Sequence, residues 1–107
     1  KMYEAEVIAF ATPIYYYEMS GQMKTMIDRA NPLYTADYRF TDVYLLASAA
    51  EDDPATVDGT ETVVRGWTDC FERATLRGVV FAGGVTAKGD IVGHKALAEA
   101  REMGRKA

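Results

Sequence analysis

The residues best suited to bind or to react lie between positions 12 and 21. Thr12-Pro13-Ile14-Tyr15-Tyr16-Tyr17 leaves the apolar run Val7–Ala11 and leads to Ser20–Gly21, where a helix is expected to begin. In open α/β sheets, ligands sit beyond the carboxyl ends of strands, where loops and helix N-termini present unpaired backbone donors. A loop of this composition supplies aromatic surface and backbone amides rather than an acid or a base. Two more segments fall at equivalent places. Ser48-Ala49-Ala50 follows the apolar run Val43–Ala47 and runs into Glu51-Asp52-Asp53, and Gly83–Gly84 closes the run Gly78–Ala82. The acidic triplet has the oxygens Mg²⁺ prefers, but it reads more simply as a solvated loop ahead of a helix.

Other chemistry finds little support. Gly84-Val85-Thr86-Ala87-Lys88-Gly89-Asp90 superficially matches a phosphate-binding loop, but Asp90 stands where the lysine belongs and would repel phosphate. His94, the lone histidine, is expected just inside the last helix, in a packing or surface role. Cys70 falls on the apolar side of a helical pattern and is expected in the core. One His and one Cys are too few for a zinc site. No G-x-S-x-G elbow occurs, so a serine hydrolase has no footing.

Three strand–helix units must position these segments. Val7–Ala11, Val43–Ala47 and Gly78–Ala82 are short apolar runs of the kind buried on both faces of a parallel sheet. The first helix is capped by Ser20, carries Met23, Met26, Ile27 and Ala30 at helical spacing, and stops at Asn31–Pro32. Leu33–Thr41 is a polar and aromatic connection without a period. The second helix is expected to start near Asp58 or Thr60, with Glu61 as a capping-box partner, and to face inward through Val63, Val64, Trp67, Cys70, Phe71 and Ala74. The third follows Asp90, buries Ala96, Leu97, Ala100 and Met103, and ends at Gly104. Strand and helix in alternation imply a parallel sheet with right-handed crossovers, so all three loops share one edge.

Composition sets the outer bounds. A chain of 107 residues is one domain, and 49% hydrophobic with 26% charged residues is ordinary for a globular fold. The net charge of −4 without a basic stripe argues against nucleic acid as a partner. One cysteine excludes an internal disulfide and fits a reducing compartment, and no apolar stretch nears the roughly 20 residues that span a bilayer; the expected location is the cytoplasm. Val7–Ala11 is too apolar for a solvent-facing edge strand, so either an absent N-terminal segment or another copy of the chain is expected beside it. Together with Lys1 at the start, this suggests the C-terminal half of a larger fold.

At Thr12 to Lys24, with Asp28–Arg29 following, the chain resembles the flavodoxin-like NAD(P)H-dependent FMN reductases, in which a T/S-P-x-Y loop precedes a small-G-x-[LM]-K…D-R helix. Weaker similarity continues through Ala47–Asp53, Arg65–Trp67, Gly83–Gly84 and Gly89–His94, and it looks most like the iron–sulfur-flavoprotein and quinone-reductase branch. The resemblance implies an α/β, three-layer flavodoxin-like sandwich with strand order 2-1-3-4-5, of which this chain (residues 1–107) would supply the last three strands and helices. It implies FMN as cofactor and NAD(P)H as reductant, with Thr12, Pro13, Ile14, Tyr15, Tyr16, Ser48, Ala49, Ala50 and Gly83 at the flavin, Tyr15 and Tyr16 ahead of Tyr17. The family's phosphate loop after the first strand has no counterpart here, nor does an N-terminal cysteine cluster.

The function so implied is an oxidoreductase passing electrons from NAD(P)H through flavin to a quinone, free flavin or similar small-molecule acceptor, with no catalytic acid or base of its own. A non-enzymatic electron carrier is the first alternative, although such carriers usually show a more acidic face. A flavin-free assembly module is the second. A homo-oligomer, dimer or tetramer, is expected by resemblance, with no membrane and no nucleic acid as partner.

Overall fold

The computed structural model describes all 107 residues. Strand β1 (Val7–Tyr15), the two-residue β2 (Glu18–Met19), β3 (Asp42–Ser48) and β4 (Thr75–Ala82) form one sheet in the order β2-β1-β3-β4. β1, β3 and β4 are parallel, and β2 folds back antiparallel to the end of β1. Helices α1 (Gly21–Asp28) and α2 (Asp58–Asp69) follow β2 and β3, and α3 (Lys95–Lys106) follows β4. The layering is three-fold, as expected of a flavodoxin-like α/β fold.

The main core lies between the sheet and α1 and α2. Ile8, Phe10 and Ile14 of β1, with Val43 and Leu45 of β3, meet Met23 and Ile27 of α1 and Val64 of α2. Trp67 edges onto Phe10 at a centroid distance of 5.2 Å and stacks near Phe40 at 5.9 Å, while its indole N–H donates to the Ile27 carbonyl at 3.1 Å. That partly buried bond ties α2 to α1. Tyr38 and Phe40, in the aperiodic connection, are buried at the heart of this cluster and stack at 4.5 Å. The opposite face carries a small cluster of Val80, Ala82 and Ala96 beneath α3.

Several expectations change. β1 is not covered on both faces: its residues alternate strictly, with Ile8, Phe10, Thr12 and Ile14 inward and Val7, Ala9, Ala11, Pro13 and Tyr15 outward. α3 reaches only β4 and part of β3, so the outer face of β1 has no cover. The edge of β1 is also open, because β2 pairs only with Ile14 and Tyr15. Met26 and Leu97, expected inside, are 44% and 45% exposed. Cys70 is the C-cap of α2 and exposed, while the next residue, Phe71, turns into the core. Thr60 and Thr68 take inward places instead; Thr68 satisfies its hydroxyl on the Val64 carbonyl at 2.8 Å, whereas the Thr60 hydroxyl has no partner within the chain. α2 begins at Asp58 with no side-chain cap, and Asp53 instead caps the short 3₁₀ turn Pro54–Val57 by accepting from the Ala55 amide at 2.9 Å. Gly104 lies inside α3 rather than ending it.

Candidate functional site

The three segments singled out by sequence converge at the carboxyl edge of the parallel strands. Pro13 pairs in register with Ser48, and Ser48 with Ala82, so the strand ends stand level. The first segment is not a loose loop. β1 continues through Pro13 to Tyr15 and reverses at Tyr16–Tyr17, with Tyr15 opposite Glu18. Proline is tolerated here because the outer edge of β1 has no ladder to break.

Tyr16 and Tyr17 both hold positive φ, 50° and 64°. Two central residues at positive φ make the mirror-image turn that matches hairpin twist, a turn normally built from Asn-Gly. For side chains with a Cβ that conformation costs about 1–2 kcal/mol per residue. Neighbouring segments hold the turn in place. The Tyr17 hydroxyl donates to Glu51 Oε1 at 2.9 Å, and the Tyr17 carbonyl lies so close to Gly59 in the first turn of α2 that an added Cβ would sit 2.6 Å from it. At the base, the Thr12 hydroxyl accepts from the Ser20 amide at 2.9 Å and donates to the Pro13 carbonyl at 2.8 Å. Ser20 caps α1 as expected, accepting from the Met23 amide at 3.3 Å.

Glu51 joins all three segments. Its carboxylate takes the Tyr17 hydroxyl and, through Oε2, the Thr56 hydroxyl at 3.4 Å, while its carbonyl accepts from the Gly84 amide at 3.2 Å. Hydrogen bonding to this carboxylate, then its charge, pushes the Tyr17 phenol above the usual tyrosine value. The Ala49 amide bonds the Ala82 carbonyl at 3.0 Å and its carbonyl accepts from the Val85 amide at 2.9 Å. Gly83 is a close-packing glycine: a Cβ there would meet Asp52 Cα and the Glu51 carbonyl, both at 2.8 Å. His94 is the N-cap of α3, not a residue inside it. Its Nδ1 accepts from the Ala96 amide at 3.0 Å, which leaves Nε2–H to donate to the Gly83 carbonyl at 2.9 Å.

A depression of about 200 Å³ opens among Ile14, Tyr16, Tyr17, Ala49, Ala50, Glu51 and Thr56. Tyr16 is wholly exposed at its rim, and Tyr15 and Tyr17 are more than half exposed. The amides of Tyr16, Tyr17, Ala50, Glu51 and Asp52 donate to nothing within the chain. Of the nine residues expected at a ligand, Ile14, Tyr16, Ala49 and Ala50 line this depression. Thr12 and Gly83 are buried supports behind it, and Tyr15 projects from the outer face of β1. Pro13 and Ser48, together with Thr12, line a separate apolar groove of about 390 Å³ running from Ala11 to α3. Tyr17, Glu51, Gly59 and His94 were not expected in supporting roles. A larger depression, about 530 Å³, is formed by residues 1–3 and the flank of α1 and includes none of the strand-end segments.

The chemistry of the depression suits an uncharged planar ring. Free backbone donors and an exposed aromatic can address the edge and face of such a ring, and no arginine or lysine lines either this depression or the groove beside it. A phosphate has no place here. In Thr86–Asp90 the carboxylate of Asp90 takes up the loop's own donors, the Ala87 amide at 2.8 Å and the Thr86 amide and hydroxyl at 3.1 and 3.0 Å. Those bonds hold Asp90 below the usual carboxylate range and occupy the Thr86 and Ala87 donors with the chain's own carboxylate.

No helix is long and apolar enough to cross a membrane. No curated protein matches the chain. Among solved structures, the Trp repressor binding protein from Bacillus subtilis superposes with a TM-score of 0.74 at 24% identity, over 90% of this chain and 66% of that one, a likeness of fold. The family model for NADPH-dependent FMN reductases matches residues 1–105. It runs along the chain and lends no support to the expectation of a C-terminal half alone. Since that match takes in the hairpin, the acidic loop and the glycine turn together, the chain belongs to the NADPH-dependent FMN reductase family.

Proposed function

We propose that the strand-end depression receives the ring system of FMN and that the protein works as an NAD(P)H-dependent flavin oxidoreductase with a small-molecule acceptor such as a quinone or free flavin. The observation that carries this reading is the set of free amides on Tyr16, Tyr17, Ala50, Glu51 and Asp52 around an apolar depression at the carboxyl edge of a parallel sheet. Bound flavin would supply the redox chemistry, taking hydride from the nicotinamide and passing electrons onward. The chain's own residues position and shield: Tyr16 offers a flat face, Ile14 and Ala49 an apolar floor, and the amides direct hydrogen bonds at ring oxygens and nitrogens. Ser48 and Gly83 keep the neighbouring strand ends small.

The phosphate belongs elsewhere on this reading, and the open edge of β1 supports a sheet that continues past it, whether in the same protein or in a second copy. Titrations of riboflavin and FMN followed by amide resonances test the proposal. Both ligands are expected to shift Tyr16, Tyr17 and Ala50 with similar affinity, because no cation here rewards the phosphate. Shifts confined to Met2, Met26 and Arg29, or none with either ligand, refute it.

A further inference from the structure

Glu51 stands out because it is the only side chain at the strand edge bonded to the strained turn. Nothing in local sequence makes two consecutive tyrosines adopt positive φ, so the conformation is imposed by contacts. From below, the Gly59 approach limits where the Tyr17 carbonyl can go, but it does not stop the turn from flipping outward into solvent. The bond from the Tyr17 hydroxyl to Glu51 does, since it spans from the hairpin to the β3–α2 loop, 34 residues away in sequence. Glu51 is itself fixed from two other directions, through Thr56 and through its carbonyl to Gly84.

We propose that Glu51 is a positioning residue: through the Tyr17 hydroxyl it holds the Tyr16–Tyr17 turn left-handed and so sets the affinity of this edge for a flavin ring. The inference rests on the flavin reading above. Tyr16 and the free amides beside it keep one arrangement before the ligand arrives, and the ligand is spared the cost of ordering them. The Glu51 carboxylate acts on the ligand through the turn, while the residue's backbone amide, one of the free donors at the depression, is left in place by substitutions of the side chain.

Five proteins test this: wild type, Tyr17→Phe, Glu51→Ala, the double variant of those two, and Glu51→Gln, the last keeping an acceptor while losing the charge. The first readout needs no flavin. The ring resonance of Tyr17 followed against pH is expected to titrate above an ordinary tyrosine in wild type, to fall back in Glu51→Ala, and to fall back only in part in Glu51→Gln, which keeps the hydrogen bond and loses the charge. A midpoint unmoved by Glu51→Ala overturns the latch. The second readout is FMN affinity from amide shifts of Tyr16 and Ala50. Tyr17→Phe and Glu51→Ala are expected to weaken binding about fivefold, the worth of one exposed charge-assisted hydrogen bond, and the double variant no more than either alone. Glu51→Gln is expected within about twofold of wild type, since its amide oxygen still accepts. Equal affinity in all five, or a Glu51→Gln loss as large as that of Glu51→Ala, overturns the positioning role while leaving the flavin reading intact. A wild type that ignores FMN overturns both.

Discussion

Replacing Gly59 with alanine sets two well-defined effects against each other. Gly59 lies in the first turn of α2, and alanine in a helix is favoured over glycine by about 1 kcal/mol. Gly66, further along the same helix, is exposed with nothing within 4 Å of an added Cβ, so Gly66→Ala reads that gain alone. At Gly59 the added Cβ meets the Tyr17 carbonyl at 2.6 Å, a separation real Cβ atoms essentially never show, and the obstacle is backbone. Overpacking of this kind costs about 1–3 kcal/mol. Subtracting the helix gain leaves Gly59→Ala destabilising by about 0–2 kcal/mol. In a domain of this size, 1 kcal/mol moves the midpoint by about 4–8 °C. Thermal unfolding followed by circular dichroism should therefore place Gly66→Ala above wild type and Gly59→Ala level with it or below. If the two variants gain equally, the hairpin turn does not rest on α2, and the account of how the strained turn is held is wrong.

Two further predictions concern the core and the acid range. Phe40 is fully buried between Tyr38 and Trp67, so Phe40→Ala should cost about 3–5 kcal/mol and strip most of the cooperativity from urea unfolding; a loss under 1 kcal/mol would mean the connection does not close this core. Asp90, held below the usual carboxylate range by the Thr86 and Ala87 donors, contributes stability that is present above its unfolded value and lost as pH falls through its folded one. Amide resonances of Thr86 and Ala87 should accordingly stay fixed through neutral and mildly acidic pH and move together only in the acid range, and Asp90→Asn should abolish that titration.

What could be read from the sequence was local. Ser20 ahead of Met23 and Ile27 marks a capped helix, and three apolar runs between helical patterns mark a parallel sheet, because both signals reside in a few neighbouring residues. The sites that depend on distant partners left no such trace. Tyr16–Tyr17 lacks the Asn-Gly signature of its turn, which is enforced by Glu51 and Gly59 from other elements. Glu51 reads as one of three solvated carboxylates until its three contacts are seen. Tyr38 and Phe40 occupy irregular backbone, where no period announces burial. Cys70 and Leu97 fit the helical spacing and are nonetheless exposed, Cys70 because at the close of α2 the chain turns Phe71 into the core in its place and Leu97 because α3 overhangs a face with no partner layer.

The open margin of β1 carries a burden in the cell that has nothing to do with redox chemistry. Val7–Thr12 is a six-residue run with no charge and no proline, the composition from which fibrils nucleate by cross-β stacking. It is bracketed by Glu6, ion-paired with Arg39, and by Pro13, which serve as gatekeepers at either end. Substitutions at those two flanking positions would be felt first as insolubility of nascent or unpartnered chains, well before any change in a folded molecule could be measured.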